Sequence, residues 1–420
     1  MSAITLHIGD VFEQLAKIPD GSIDLIVTSP PFLALRSYLP NDHPDKALEI
    51  GSESGPAAFL DTMLALSAEW GRVLAPHGSL CVELGDTYSG SGGAGGDYNA
   101  DGLRDGQGKF SGSAARGDDW PMSKSKTMLD TLYPACLAYG ANLLSGEASP
   151  AGRWRIRNLI VWARPNPPVG ALGDKFRPAT SYITVACKSP RRWFDLDAVR
   201  GAPSPKTNAR TAKGVDRQQS TGKSADDERR GGNFSTLDTL HEVGGSPPLD
   251  WHADDHPEDG DWLWKMSPQG FAGSHYATFP LALPTRLIKA MCPERVCTVC
   301  GAPSERITKV DGLRGASIVD HDQGDVAGMS SPRPNMPDIT RETTGWTDCE
   351  CSDGGTHWRT GRVLDPFAGS GTTLVAAHNE SRDAIGIDLD DRNVAMVEDR
   401  LGPLVAACDL TVNTTEVAAA

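Results

Sequence analysis

The feature that most constrains this chain lies near its C-terminus. Arg362–Leu364 reads as a strand, DPFAGSGTT (Asp365–Thr373) as a tight turn, LVAAHNES as a helix and AIGIDLD as the next strand. A strand that passes through a glycine turn into a helix, and returns as a strand, commits the chain to alternating α/β architecture. The N-terminus repeats the pattern. ITLHI, VFEQLAKI and IDLIVT read as strand, helix and continuous apolar strand, with Gly9-Asp10 and PDGS as turns. Residues 56–74 carry apolar side chains at helical spacing and stop at APHG, after which SLCVELGD reads as a buried strand. Thr127–Tyr139 and Phe279–Met291 read as helices, and Arg155–Trp162 and the stretch from Ile183 (ITVACKS) as strands. Together they predict a mostly parallel, doubly wound sheet.

A chain of 420 residues can bury a full core, and this one reads as a single large domain with insertions. Two stretches cannot contribute to that core: glycine-rich Ser89–Asp119 and polar 201–260. The N-terminus has no signal-peptide pattern and no run of 18 apolar residues occurs, so no membrane span is expected. Nine cysteines, scattered apart from one cluster, argue for a reducing, cytoplasmic setting over a disulfide scaffold. The net charge of −15 disfavours nucleic acid as a partner until its distribution is considered. Residues 151–230 hold 17 Lys and Arg against 7 Asp and Glu, a net of +10, leaving −25 elsewhere. A basic segment on an acidic body can repel DNA everywhere except at one face.

The glycine turn narrows the ligand. Gly369 and Gly371 permit a tight turn and close approach to bare backbone, and the helix start offers free N–H groups. No Lys precedes Thr372, as a phosphate-binding loop would need, and Leu374 stands where a dinucleotide fingerprint requires its third glycine. The remaining option is a nucleoside cofactor carrying a cation, with Asp365 facing the positive group. Asp388, closing the next strand, would accept from both ribose hydroxyls.

DPFAGSGTT, taken together with TSPPF (Thr28–Phe32) after the strand IDLIVT, resembles the S-adenosylmethionine-binding and catalytic motifs of the DNA amino-methyltransferases. The order, catalytic motif first, is similar to the permuted β group of that family. EIGSES (Glu49–Ser54), VELGDTY (Val82–Tyr88) and NLIVWARPNPPVG (Asn158–Gly170) also resemble stretches recurring in it. The resemblance covers about residues 4–90, 125–200 and 265–400. It implies a Rossmann-like methyltransferase fold with circularly permuted motifs and large loop insertions.

Carried over residue by residue, the resemblance implies cofactor contacts at Asp10 and at His275, Phe279 and Pro280 of SHYATFP. It implies further contacts at Asp365, Pro366, Phe367, Gly369, Ser370, Gly371, Thr372, Thr373 and Asp388. Trp162 and Arg164 fall where the family often has Trp-x-Lys near the base pocket, the Arg being a departure. At the catalytic motif, the Ser29 hydroxyl and the Pro30 carbonyl can accept both N–H bonds of an aromatic amine and free its lone pair. Pro31 fixes the direction of that carbonyl, and Phe32 offers a ring to a base flipped out of the duplex. A second Ser-Pro-Pro, Ser246–Pro248, is followed by Leu249 and has no strand before it.

Cys297-x-x-Cys300 and Cys349-x-Cys351 offer four thiolates in two close pairs, a set suited to structural tetrahedral zinc. Cys292 and His357 are alternatives for one ligand. The expected product is a site-specific methylation of double-stranded DNA at an exocyclic amine. Ser29 as first residue of its motif leans toward cytosine N4, with adenine N6 as the alternative and RNA or a protein amide as more distant ones. A partner restriction endonuclease is compatible with this reading, and monomer and homodimer both stay open.

The expected organisation has the catalytic half at 1–88, a glycine-rich loop at 89–124 and a continuation of the core at 125–200. A polar insertion for DNA target recognition follows at 201–264, then a cofactor-side segment at 265–296 and a zinc insertion at 297–351. The cofactor half spans 352–405 and a tail 406–420.

Overall fold

The structure is a computed structural model, and it describes residues 2–35, 38–40, 42–89, 119–165, 176, 178–199, 264–267, 279–311, 340–351, 357–402 and 408–414. Most of the glycine-rich loop, nearly all of the polar insertion with its Ser246–Pro248, residues 166–170, and His275 lie outside the described residues. The chain forms two units. One contains 1–195, 263–304 and 349–420, and the other 196–262 and 305–348.

The first unit is built on a nine-stranded sheet. Its strands are β1 (Ser2–Ile8), β2 (Ile23–Thr28), β3 (Leu74–Leu84), β4 (Arg155–Ala163), β5 (Thr180–Cys187), β6 (Trp264–Lys265), β11 (Arg362–Asp365), β12 (Asp383–Asp388) and β13 (Cys408–Thr414), in the order β13-β1-β12-β11-β2-β3-β5-β4-β6. Every pairing from β13 to β3 is parallel, β5 runs antiparallel to both β3 and β4, and β4 and β6 are parallel. The sheet is therefore mostly parallel, as the alternating pattern predicts. β2 is buried along its whole length, which explains its unbroken apolar run.

Helices α1 (Val11–Leu15), α2 (Pro56–Val73), α3 (Leu129–Tyr139), α4 (Ala282–Met291), α5 (Thr372–Asn379) and α6 (Asn393–Leu401) complete the unit. Trp70, Phe59 and Tyr133 are among the largest fully buried side chains, in a cluster that joins α2 and α3 to β2 and β3. Among the described residues no helix is long and apolar enough to cross a membrane.

Two boundaries differ from the sequence reading. APHG does not separate α2 from a strand at Ser79, because β3 begins at Leu74 directly after the helix, and its register against β2 shifts between Ile23 and Leu25. Helix α3 starts at Leu129 rather than Thr127. The Asp86 carboxylate, from the end of β3, accepts from Met128 N (3.1 Å) and Leu129 N (3.2 Å) and so caps the helix from outside.

The cysteine segment adds a small sheet of β7 (Arg295–Cys297) against β10 (Trp358–Thr360). Arg359 of β10 clasps Asp24 at the start of β2, with Nη1 at 2.6 Å from Oδ2 and Nη2 at 3.0 Å from Oδ1. His77 Nε2 (2.9 Å) and Arg362 N (2.7 Å) complete the shell of this fully buried carboxylate. Asp24 thus ties together the starts of β2, β3 and β11, the three strands whose far ends build the site. The second unit contains the hairpin of β8 (Arg306–Asp311) and β9 (Thr340–Trp346), in which Arg306 stacks on Trp346 at 4.6 Å.

Candidate active site

The ends of β1, β2, β3, β11 and β12 open on one cavity of about 580 Å³. That size suits a nucleoside cofactor together with a base. From the catalytic motif it is lined by Ser29, Pro30, Pro31 and Phe32. From the cofactor set it is lined by Asp10, Phe279, Asp365, Pro366, Phe367, Gly369, Ser370, Thr372 and Asp388. The two motifs, more than 330 residues apart in sequence, therefore meet. Gly371 and Thr373 stand behind the turn rather than on the cavity wall, and Pro280 is buried at the head of α4.

The glycine turn is fixed from several sides. Gly369 and Gly371 hold φ of +51° and +76°, a region that favours glycine. A Cβ on Gly371 would lie 3.1 Å from Val397 of α6. Asp365 spends both carboxylate oxygens inside the fold: Oδ1 accepts from Thr28 Oγ1 at 2.8 Å and from Phe367 N at 3.1 Å, and Oδ2 from Thr373 Oγ1 at 2.6 Å. It joins the threonine of TSPPF to the cofactor turn. Arg400 of α6 staples the same turn, its Nη1 lying 3.0 Å from Ser370 O and 2.8 Å from both Ser370 Oγ and Thr372 Oγ1.

Asp388 accepts from Gly369 N (2.6 Å), Asp390 N (2.9 Å) and Asn393 Nδ2 (2.9 Å). Burial pushes the carboxyls of Asp365 and Asp388 up to about 6. Asp10 caps α1 through its Oδ1, 3.0 Å from both Phe12 N and Glu13 N. Gly9 N donates to Asp388 O at 2.9 Å, which brings the two acids to adjacent strand ends.

The other end of the cavity holds TSPPF. Ser29 Oγ donates to Glu83 Oε2 at 2.6 Å. Glu83 sits on β3 with 4% of its surface exposed. Burial pushes its carboxyl up, and Ser181, Ser29 and the positive charge of Arg164 bring it part of the way back. No described atom makes a hydrogen bond of normal geometry to its Oε1. Sequence reading missed Glu83 because it stands in an apolar strand. The signal available was an acid inside SLCVEL with no helix or turn to explain it.

Two glycines make room for Phe32. A Cβ on Gly85 would stand 2.5 Å from the ring, and one on Gly51, where φ is +91°, would stand 3.0 Å from Phe32 O. VELGDTY and EIGSES are thus the walls against which the catalytic loop is seated. Ala34 N donates to Gly51 O at 2.8 Å and fixes the loop beyond the ring. Trp162 spends its Nε1–H on Met266 O at 2.9 Å, and the Arg164 guanidinium lies 4.9 Å from its ring centre.

The charge balance of the wall is one-sided. Asp10, Glu49, Glu83, Asp86, Asp365, Asp388 and Asp390 line the cavity, whereas Arg164 is the one cationic side chain among the described lining residues. Such a wall suits a cationic nucleoside and rejects phosphates.

Away from the cavity, the ligand atoms of Cys297, Cys300, Cys349 and Cys351 all lie within 4.8 Å of one another. Val299 N and Cys300 N point to Cys297 Sγ at 3.3 and 3.4 Å, and Gly301 turns the loop at φ +72°. His357 Nε2 lies 3.4 Å from Cys349 Sγ. Cys292, the other alternative ligand, ends α4 and is not in this group.

Comparison with known proteins gives the same direction. The family profile described as DNA methylase, for the N6 and N4 enzymes, matches residues 23–298 and 358–399. The Type II methyltransferase M.Cfr9I of Citrobacter freundii is 25% identical over 401 residues, covering 96% of this chain and 88% of that protein. M.XycI of Xanthomonas campestris pv. cyanopsidis, also a Type II methyltransferase, is 24% identical over 94% of this chain and 87% of its own length. Among solved structures, PvuII DNA methyltransferase (cytosine-N4-specific) aligns over 98% of this chain and 95% of its own, with 14% identity and a TM-score of 0.48. The family match spans well over half of the sequence, and the chain therefore belongs to the N6/N4 DNA methylase family, as an S-adenosylmethionine-dependent DNA amino-methyltransferase.

Proposed function

We propose that this enzyme methylates the N4 amine of a cytosine flipped out of double-stranded DNA, as the modification partner of a restriction system. The observation that carries the chemistry is the Ser29–Glu83 pair at 2.6 Å, held in the same cavity as the glycine turn. An aromatic amine is a poor nucleophile until its N–H bonds are accepted. Ser29 Oγ, whose own proton is held by Glu83, presents lone pairs to one N–H, and the Pro30 carbonyl accepts the other. S-Adenosylmethionine would supply an activated methyl group on a sulfonium sulfur, which would leave as a neutral thioether when its bond to the methyl carbon breaks. As the N–C bond forms, Ser29 takes the proton that the amine loses and passes its hydroxyl proton to Glu83. Glu83, already holding the Ser29 hydroxyl at 2.6 Å, is the base placed to take that proton. Phe32 stacks on the base.

The glycine turn, Asp10, Asp388 and the acidic wall support a cationic nucleoside at the other end of the cavity. The leaning to cytosine rests on serine at the head of the motif, and the Type II names of the relatives support the restriction setting. Incubation with radiolabelled cofactor and either duplex DNA or RNA tests the substrate class. Label in RNA, or in neither, overturns it.

The four clustered thiols fit zinc by donor chemistry and mutual distance, and with four protein ligands the metal's work is structural. About one zinc per chain is the expected metal content by elemental analysis, with dissociation of the metal lowering the melting temperature. Metal-free protein of unchanged stability contradicts it.

A further inference from the structure

The cavity contains a donor for which neither the glycine turn nor the Ser29–Glu83 pair has a use. Arg164 leaves the end of β4 and is half-buried over Trp162. Its Nε is buried and has no hydrogen-bond partner among the described residues. Its Nη1 makes a single long contact of 3.4 Å to Ser181 Oγ. A guanidinium carries five N–H donors in a rigid fork. Arg164 lines the cavity, and among the described residues its Nη groups make that one long contact, so they are the prongs a ligand in the cavity can reach. Its partners place it at the base end of the cavity. Trp162 pairs with Ser181 across β4 and β5, and Glu83, which Ser29 touches, pairs with Ile183 on the same β5. Arg164 also acts electrostatically on Glu83. It is the lone cation on a described wall with seven acids, so it is not a general anion trap.

We propose that Arg164 is the specificity-determining residue that reads the base, donating its fork to N3 and O2 of the flipped pyrimidine; this rests on the cytosine reading above. With the amine held at Ser29 and Pro30, cytosine presents two adjacent acceptors, N3 and then the O2 carbonyl, along one edge. Adenine presents N1 and then a C2–H, which accepts nothing. A planar two-pronged donor beside the amine site therefore favours cytosine, and the same logic makes arginine the partner of paired acceptors in DNA readout. Lysine, a point charge, would not discriminate in this way.

The test is a chemical double-mutant cycle on the holoenzyme with its cofactor. The modified site is first found by sequencing DNA from cells that express the enzyme. Duplexes are then made with cytosine or 2-thiocytosine at the target, since sulfur is a weak acceptor in place of O2. Wild type is expected to be slower on the thio base by about tenfold in kcat/KM. Arg164→Ala is expected to be slower on cytosine by on the order of tenfold to a hundredfold and to show a thio ratio near one. Arg164→Lys, which keeps the charge and protects against a simple folding failure, should also bring the ratio close to one. Cofactor affinity should stay within about twofold in both variants.

A wild-type thio ratio that persists in Arg164→Ala and Arg164→Lys overturns the role of Arg164 while leaving the N4 reading standing. N6-methyladenine as the wild-type product overturns the cytosine reading, and this proposal with it.

Discussion

Replacing Gly85 with alanine tests how the catalytic loop is held. Gly85 follows β3 directly, and the added Cβ would lie 2.5 Å from Phe32 Cε2, 3.0 Å from Cδ2 and 3.2 Å from Cζ. Carbon atoms in contact prefer about 3.5–4.0 Å, so the ring must move by roughly 1 Å. Gly85 is not among the described residues with positive φ, so the cost lies in the contact and not in the alanine backbone. Over-packing of this kind costs about 1–3 kcal/mol, and a stacked base on an aromatic ring contributes a similar ~1–3 kcal/mol. If half to all of the stacking is lost, about 0.5–3 kcal/mol, methyl transfer slows by about twofold to a hundredfold.

Single-turnover transfer from labelled cofactor measures the rate, and calorimetry measures cofactor binding at the far end of the cavity. Slowed transfer with cofactor affinity within about twofold is expected. Gly85→Ala combined with Phe32→Leu should be less than additive, because the smaller side chain removes the clash. Gly345→Ala, whose Cβ meets nothing within 4 Å, serves as the control. Unchanged transfer in Gly85→Ala with the ring visibly displaced would refute the stacking role. An equal loss of cofactor affinity would show that the ring belongs to the other subsite.

Glu83→Gln keeps the shape but removes the proton acceptor, so kcat should fall by about a hundredfold or more with cofactor binding preserved, as read by stopped-flow transfer. Asp388 is at about 6 in the free protein and must be ionised to accept ribose hydroxyls, so cofactor Kd should rise as pH falls through 6 and level off above about 7. Its folded value lies above the unfolded one, so the free protein binds more protons than the unfolded chain between about 4 and 6. This group's contribution to stability therefore falls as pH rises through that window, opposite in sign to cofactor affinity; Asp388→Asn should flatten both profiles. Arg359→Ala strands the fully buried Asp24 carboxylate and should destabilise the first unit by about 3 kcal/mol in urea unfolding, with a larger loss than the isosteric Asp24→Asn in the same assay.

The parts of this fold that were legible in sequence are those whose physics is local. The glycine turn after β11 shows itself because positive φ at Gly369 and Gly371 demands glycine, and TSPPF because two prolines end a fully buried strand. What escaped was non-local. Glu83 looks like one more strand residue until Ser29, 54 positions away, is laid against it. Arg359 and Asp24 are 335 residues apart, and their pairing across three strand starts has no sequence trace. Arg400 reads as an ordinary residue in the last turn of a helix, yet it closes the cofactor turn. β13 (CDLTVNT) is the exception: it alternates Cys408, Leu410 and Val412 with polar residues, a local strand pattern that a reading of 406–420 as a tail passes over, and its parallel pairing with β1 extends the sheet beyond the expected core. The Asp86 cap moved the start of α3 by two residues, since a cap supplied from another element leaves no mark beside the helix it serves.

One cavity joins Ser29 to the cofactor turn, and cytosine N4 is the proposed target of the methyl group. The most direct test is mass spectrometry of nucleosides from plasmid DNA recovered from cells expressing the wild-type chain or Ser29→Ala. Wild type should yield N4-methyldeoxycytidine and the variant none, while the variant still binds cofactor. N6-methyldeoxyadenosine from wild type, or N4-methyldeoxycytidine at undiminished level from Ser29→Ala, would contradict that assignment.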